Sequence, residues 1–275
     1  MVAAISATPA RVNSQCTATL DASPAMQARV EQESRDGDPQ RDIDQRLLNE
    51  LARLNSASGV NAKLKFSPGA GACVNLERAV IYLGLDLVKR LQEKLSTNER
   101  VKGDTMLRNF AEAPYAAARF ALAHEYAHLL QHNGTTGSER AVRSAGATRE
   151  KGKLAAANRE PAAAPEPLAI GELQADCIAG HLLGHDLARL DVDIRPLLAA
   201  IETAMVLGDE AWNDPAHHGA ALSRRSCAGA GVRSGQGQQF GPLNAALGDR
   251  AQRLLDWSLA EARTTFKRDR NQRVF

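Results

Sequence analysis

The segment ARFALAHEYAHLLQHN holds the residues best suited to chemistry, His124-Glu125-Tyr126-Ala127-His128, which fit the pattern HExxH. On a helix, residues four apart lie one turn apart on one face, so two imidazoles at that spacing can grip a single zinc ion. The glutamate after the first histidine points close to the open position of such an ion. From there it can take a proton from a zinc-bound water and later hand it to a leaving amine. With 7 histidines and 16 glutamates in 275 residues, chance would produce the pattern only about 0.01 times. The apolar neighbours Phe120, Leu122, Ala123, Ala127, Leu129 and Leu130 suit a buried active-site helix better than an incidental pair of surface histidines. His124 and His128 are therefore the expected zinc ligands and Glu125 the expected general base.

A catalytic zinc site requires a third protein ligand. His132 continues the same face, but eight residues from His124 is about 12 Å along the helix axis, too far to share the ion. His181 and His185 are also four apart, yet no glutamate follows the first, so that pair reads as structural. Glu172 in GELQADCIAGHLLG is the better candidate, with Asp176 one turn further along a second helix. Glu172 can bind the ion while Asp176 accepts the outward N–H of a liganding histidine and fixes its tautomer. Ile170, Leu173, Ala175, Ile178 and Ala179 around them favour burial over a solvated acidic face. His181 sits about half a turn round that helix from Glu172 and faces away. Cys177 reads as a packing residue.

Other elements must position these groups. Asp38-Pro39 looks like an N-cap with proline at the first helical position. The helix behind it puts Ile43, Leu47, Leu51 and Leu54 on one stripe, and Gly59 lies past its end. NAKLKF (61–66) alternates like a strand, Pro68-Gly69 and Gly71 make a turn, AVIYL (79–83) reads as a second strand, and 85–96 returns to helical spacing. The motif helix runs from Pro114 to an expected stop at Asn133-Gly134. Residues 133–168 then lack a pattern and read as an exposed insertion. Helices follow at about 170–187 and from Pro196, and a Gly-rich segment (229–241) precedes a last amphipathic helix over 242–263. The expected organisation is a leader (1–38), one domain (39–263) carrying the insertion, and a tail (264–275).

Composition limits the function. A net charge of +2 with 24% charged residues lacks the basic excess of a nucleic-acid binder. No apolar run approaches the roughly 20 residues of a spanning helix, so no integral membrane segment is expected. MVAAISATPARVNSQ has no basic start followed by an apolar core and is not read as a signal peptide. Aromatics are only 4% and alanine is abundant, which favours helices. Cys16, Cys73, Cys177 and Cys227 form no CxxC pair, so separate reduced thiols are expected, with one or two bridges the alternative.

HEYAH followed by ELQADCIAG resembles the bacterial neutral zinc metallopeptidases and, more distantly, the HtpX-like and CaaX-prenyl-protease peptidases. Upstream, GACVNLERAVIYLGLDLVKRLQ is similar to their strand-then-helix, whose strand would be the edge that pairs with substrate backbone, near Ala79–Leu83. Downstream, LGDEAWNDPAHHGAALSR is similar to a segment in which a His-Gly pair precedes an arginine, here His218, Gly219 and Arg224. The resemblance covers roughly residues 60–235, although the insertion is longer than the family pattern and His217 doubles the histidine. It implies a gluzincin-type fold, mainly α with a small β-sheet (α+β), with a cleft between the motif helices. It also implies a zinc metalloendopeptidase acting on a protein or peptide substrate. His218 or His217 would steady the oxyanion, or else satisfy turn backbone. Arg224 would be an ion-pair partner behind the ligands or a catalytic group. Tyr82 and Tyr126 are expected in the core. Two rival readings are an ImmA-like regulatory peptidase that cleaves one repressor, and a non-catalytic protein stapled by structural zinc. A secreted effector or toxin protease is a further alternative.

Overall fold

The computed structural model describes residues 39–67, 71–97, 112–146, 168–187, 195–208, 219–237 and 247–272. The expected leader and residues 147–167 of the expected insertion lie outside them. Helix α1 (Pro39–Ser58) starts on the proline and buries Leu47, Leu51 and Leu54. It ends where Gly59 takes φ 70°, a left-handed conformation that glycine adopts without a Cβ clash. Asn55 then pins the exit, because its side chain bonds both the N–H and the C=O of Ala62.

Three strands follow: β1 (Lys63–Ser67), β2 (Ala72–Asn75) and β3 (Val80–Gly84). Their order is β1-β3-β2, with β3 parallel to β1 and antiparallel to β2. β3 is therefore the central strand, and every one of its residues is buried. This corrects the expectation that Ala79–Leu83 forms a substrate-pairing edge. An unbroken apolar run such as VIYLG suits a strand covered on both faces, and its ladder groups are taken by neighbours on both sides. β2 lies between the expected turn and the expected second strand, where no strand was expected, and Pro68-Gly69 of that turn lie outside the described residues. Cys73 on β2 is disulfide-bonded, which departs from the expectation of separate thiols, whereas Cys177 and Cys227 are free and buried. Sequence spacing carries no trace of a pairing made by the fold.

After α2 (Leu87–Thr97) the chain enters α3 (Ala113–Gly146), the motif helix. Phe120, Leu122, Ala123, Tyr126, Ala127 and Leu129 are buried around its whole circumference, so α3 runs through the core. It passes the expected stop at Asn133-Gly134. There it lies against the last helix, where a Cβ on Gly134 would meet Leu255 Cδ1 at 2.2 Å. Packing outweighs the local stop signal.

Helix α4 (Leu168–Leu187) carries the second motif, and α5 (Arg195–Leu207) follows. Helix α6 (Ala221–Gln236) occupies most of the segment read as a Gly-rich connection. Glycine is a poor helix former, but here it allows contact between backbones. A Cβ on Gly231 would meet the carbonyl of Cys177 at 2.1 Å, and one on Gly180 would meet that of Ala228 at 2.2 Å. Helix α7 (Leu247–Gln272) extends well past the expected end near 263. Its last turns are held by the buried Thr265 and by a hydrogen bond of 2.6 Å from Ser223 Oγ to Asp269. The fold is mainly α with a small sheet. No helix among the described residues is long and apolar enough to cross a membrane.

Candidate metal centre

Helix α3 brings His124 and His128 onto one face, and α4 lays Glu172 across from them. His124 Nε2 lies 3.2 Å from Glu172 Oε2, and His128 Nε2 lies 3.6 Å from Oε1. One ligand atom from each of the three residues falls within 4.8 Å of the others. Two atoms each ~2.1 Å from a tetrahedral ion stand ~3.4 Å apart, so the spacing fits a metal ion held by this set. All three side chains are nearly buried, with Glu172 the most open at 12%.

The outward ring nitrogens show why the inner ones face the cluster. Asp176, fully buried, accepts from His124 Nδ1 at 2.9 Å. Arg224 grips the same carboxylate twice, Nε to Oδ2 at 2.7 Å and Nη2 to Oδ1 at 2.9 Å. Its Nη1 donates to Leu207 O at 3.2 Å. With Nδ1–H given to Asp176, Nε2 is the ring nitrogen that faces Glu172, where its proton is held by Oε2 at 3.2 Å and an ion would replace that proton. The Nη2–Nδ1 approach of 3.4 Å joins two donors and is a contact rather than a bond.

His128 is oriented by a residue that sequence reasoning missed. Gln131 Nε2 donates to Gly171 O at 2.9 Å and to Gln174 Oε1 at 3.0 Å. A carbonyl can only accept, so the amide nitrogen faces Gly171 and Gln131 Oε1 faces His128 Nδ1, at 2.7 Å. His128 must then donate from Nδ1, which leaves Nε2 as the ring nitrogen facing Glu172. The available signal was position alone: Gln131 follows His128 by three residues and Gln174 follows Glu172 by two.

Electrostatics follow from this packing. Burial alone would lower the His124 pKa, but the hydrogen bond and charge of Asp176, aided by Glu172, hold it up at about 10. Burial pushes the Glu125 carboxyl up, the nearby His124 and His128 pull it part of the way back, and the Glu172 charge adds to the rise. A buried glutamate tuned upward is better suited to accept and return a proton than a solvated one. Burial opposes the Arg224 charge, but the Asp176 carboxylate outweighs it and keeps the guanidinium firmly protonated.

The remaining candidates separate cleanly. His217 and His218 lie outside the described residues. Gly219, at φ 100°, is described, and a Cβ there would stand 3.3 Å from Arg224 Cγ. His132 is half-buried and does not join the cluster. His181 faces α6, with Nδ1 3.1 Å from Ser234 Oγ, and burial beside His185 drops its pKa to about 4. Cys177, Tyr82 and Tyr126 are buried in the core, and Tyr126 hydrogen-bonds Ser58. No known protein family, curated protein or solved structure matches the chain.

Proposed function

We propose that the chain is a zinc-dependent metalloendopeptidase of the gluzincin kind, akin to the neutral zinc metallopeptidases that its motifs resemble. The observation that supports this most directly is the meeting of both inward Nε2 atoms with the Glu172 carboxylate, with a buried carboxyl at Glu125 between the two histidines in sequence. His124, His128 and Glu172 would hold the ion. The chemistry supplied by zinc in such a set is Lewis acidity toward a carbonyl and a lowered pKa for water.

The protein's own groups do the rest. Glu125, buried and shifted upward, accepts the proton of the attacking water and passes it to the departing amine nitrogen. Asp176 and Arg224 hold the His124 ring in the liganding tautomer, and Gln131 does so for His128. A second donor such as His218 would steady the oxyanion. The sheet edge that an extended substrate would join is β2, which packs near α3, because both sides of β3 are filled.

The test is elemental analysis of the purified protein with a casein-cleavage assay alongside. About one zinc per chain, lost in Glu172→Ala and kept in Glu125→Gln, is expected, with cleavage abolished in both. Zinc retained without Glu172 would remove it from the ligand set. Zinc bound by an inactive wild type would favour a structural ion.

A further inference from the structure

The two histidines are backed by chemically different partners. Behind His124 stands the Asp176–Arg224 ion pair. Behind His128 stands a chain of neutral amides that leaves the site altogether. Gln131 Oε1 accepts from His128 Nδ1 at 2.7 Å, and Gln131 Nε2 donates to Gln174 Oε1 at 3.0 Å. Gln174 Nε2 in turn donates to Leu255 O at 3.0 Å and to Ser258 Oγ at 3.3 Å, both on α7. Ser258 Oγ closes the end by donating to Leu255 O at 3.0 Å. Every amide has one orientation that satisfies its neighbours, and flipping either would set donor against donor or acceptor against acceptor.

We infer that Gln131 and Gln174 are positioning residues that couple ion binding at His128 to the docking of helix α7. The inference rests on the metal-centre reading above. A cation at Nε2 withdraws electrons from the ring and makes Nδ1–H a stronger donor. That strengthens the bond to Gln131, and hydrogen bonds in a buried chain reinforce one another. Conversely, α7 in place holds Gln174, Gln131 and the imidazole in the liganding orientation. The coupling is reciprocal: the factor by which an opened relay weakens zinc equals the factor by which zinc lowers the equilibrium constant for opening the relay.

Outer partners of a liganding histidine are worth about 10–100-fold in metal affinity. Gln174→Met, which breaks the link to α7, is thus expected to weaken zinc about tenfold in a chelator competition. In wild type, saturating zinc is expected to slow amide hydrogen exchange around Leu255–Ser258 by about the same factor beyond any slowing at Leu47–Leu54 of α1. In Gln174→Met that excess disappears. Where Gln174→Met does not fold, Gln131→Met and the wild-type comparison carry the test. A merely structural glutamine would speed exchange of α7 with and without zinc alike and leave the zinc-dependent excess intact, which overturns the coupling. Zinc binding with no excess protection of α7 in wild type overturns it as well. A wild type that binds no zinc overturns the metal-centre reading itself and is thereby distinguishable.

Discussion

Arg224→Met removes the cation that holds Asp176, and the structure fixes what is left behind. Asp176 is fully buried and accepts from three donors: Arg224 Nε, Arg224 Nη2 and His124 Nδ1. Taking away the guanidinium leaves a buried carboxylate with one donor. Breaking a buried ion pair from one side costs about 3–5 kcal/mol. The proton that His124 retains up to about 10 partly compensates Asp176, so the loss should fall near ~3 kcal/mol. That is a large share of a stability of about 5–15 kcal/mol, yet it leaves a folded population to measure. Asp176→Asn/Arg224→Met, with neither charge, should lose less than the sum of the single changes by about 1–3 kcal/mol. The assay is urea unfolding of wild type, both singles and the double in the presence of chelator. A loss below about 1 kcal/mol for Arg224→Met, or additive singles, would refute the claim that this pair is mutually dependent and desolvated.

Further outcomes are expected. The folded-state pKa of His124 at about 10 stands above its ordinary 6.5. Its proton therefore contributes stability fully below the ordinary value, and that contribution falls away as pH rises toward 10. In chelator the urea midpoint should drop between about pH 6 and about pH 9, and a flat profile would contradict the Asp176 interaction. Zinc uptake at about pH 7 should release close to one proton, read by calorimetry in buffers of different ionisation enthalpy. Glu125→Gln should keep its zinc and lose about 100- to 10,000-fold in kcat. Gly231→Ala, which drives a methyl into the Cys177 carbonyl, should lower stability by about 1–3 kcal/mol. Gly171→Ala meets nothing within 4 Å and should raise stability by up to about 1 kcal/mol through helix propensity. Thermal unfolding distinguishes the two glycines.

The sequence was most legible where one helix face had to do one thing. The four-residue spacings of His124 with His128 and Glu172 with Asp176 placed four side chains that the fold brings into one cluster. The stripe through Leu47, Leu51 and Leu54 likewise predicted a buried face that is there. What stayed hidden depended on partners distant in the chain. The glycines of α6 read as a connection because their use is to admit another backbone, and nothing local announces α4. β3 read as an edge because strand order is decided by β1 and β2 rather than by AVIYL. Gln131 and Gln174 passed unnoticed because amides on a helix usually face water. Only the meeting of α3, α4 and α7 gives them a task.

The contact of α4 with α6 at Gly180 and Gly231 has a consequence for inheritance. A chain that keeps this centre through many generations can trade one apolar core residue for another of similar volume. It has no such freedom at these glycines, where the smallest side chain collides with a backbone carbonyl. The signature of a distant cousin should therefore be wider than the ligands. HExxH and ExxxD would be accompanied by an arginine that reaches Asp176 and by glycines set into the two facing helices. Those glycines carry no chemistry, yet they set the close approach of the two helices on which Asp176 and Arg224 meet.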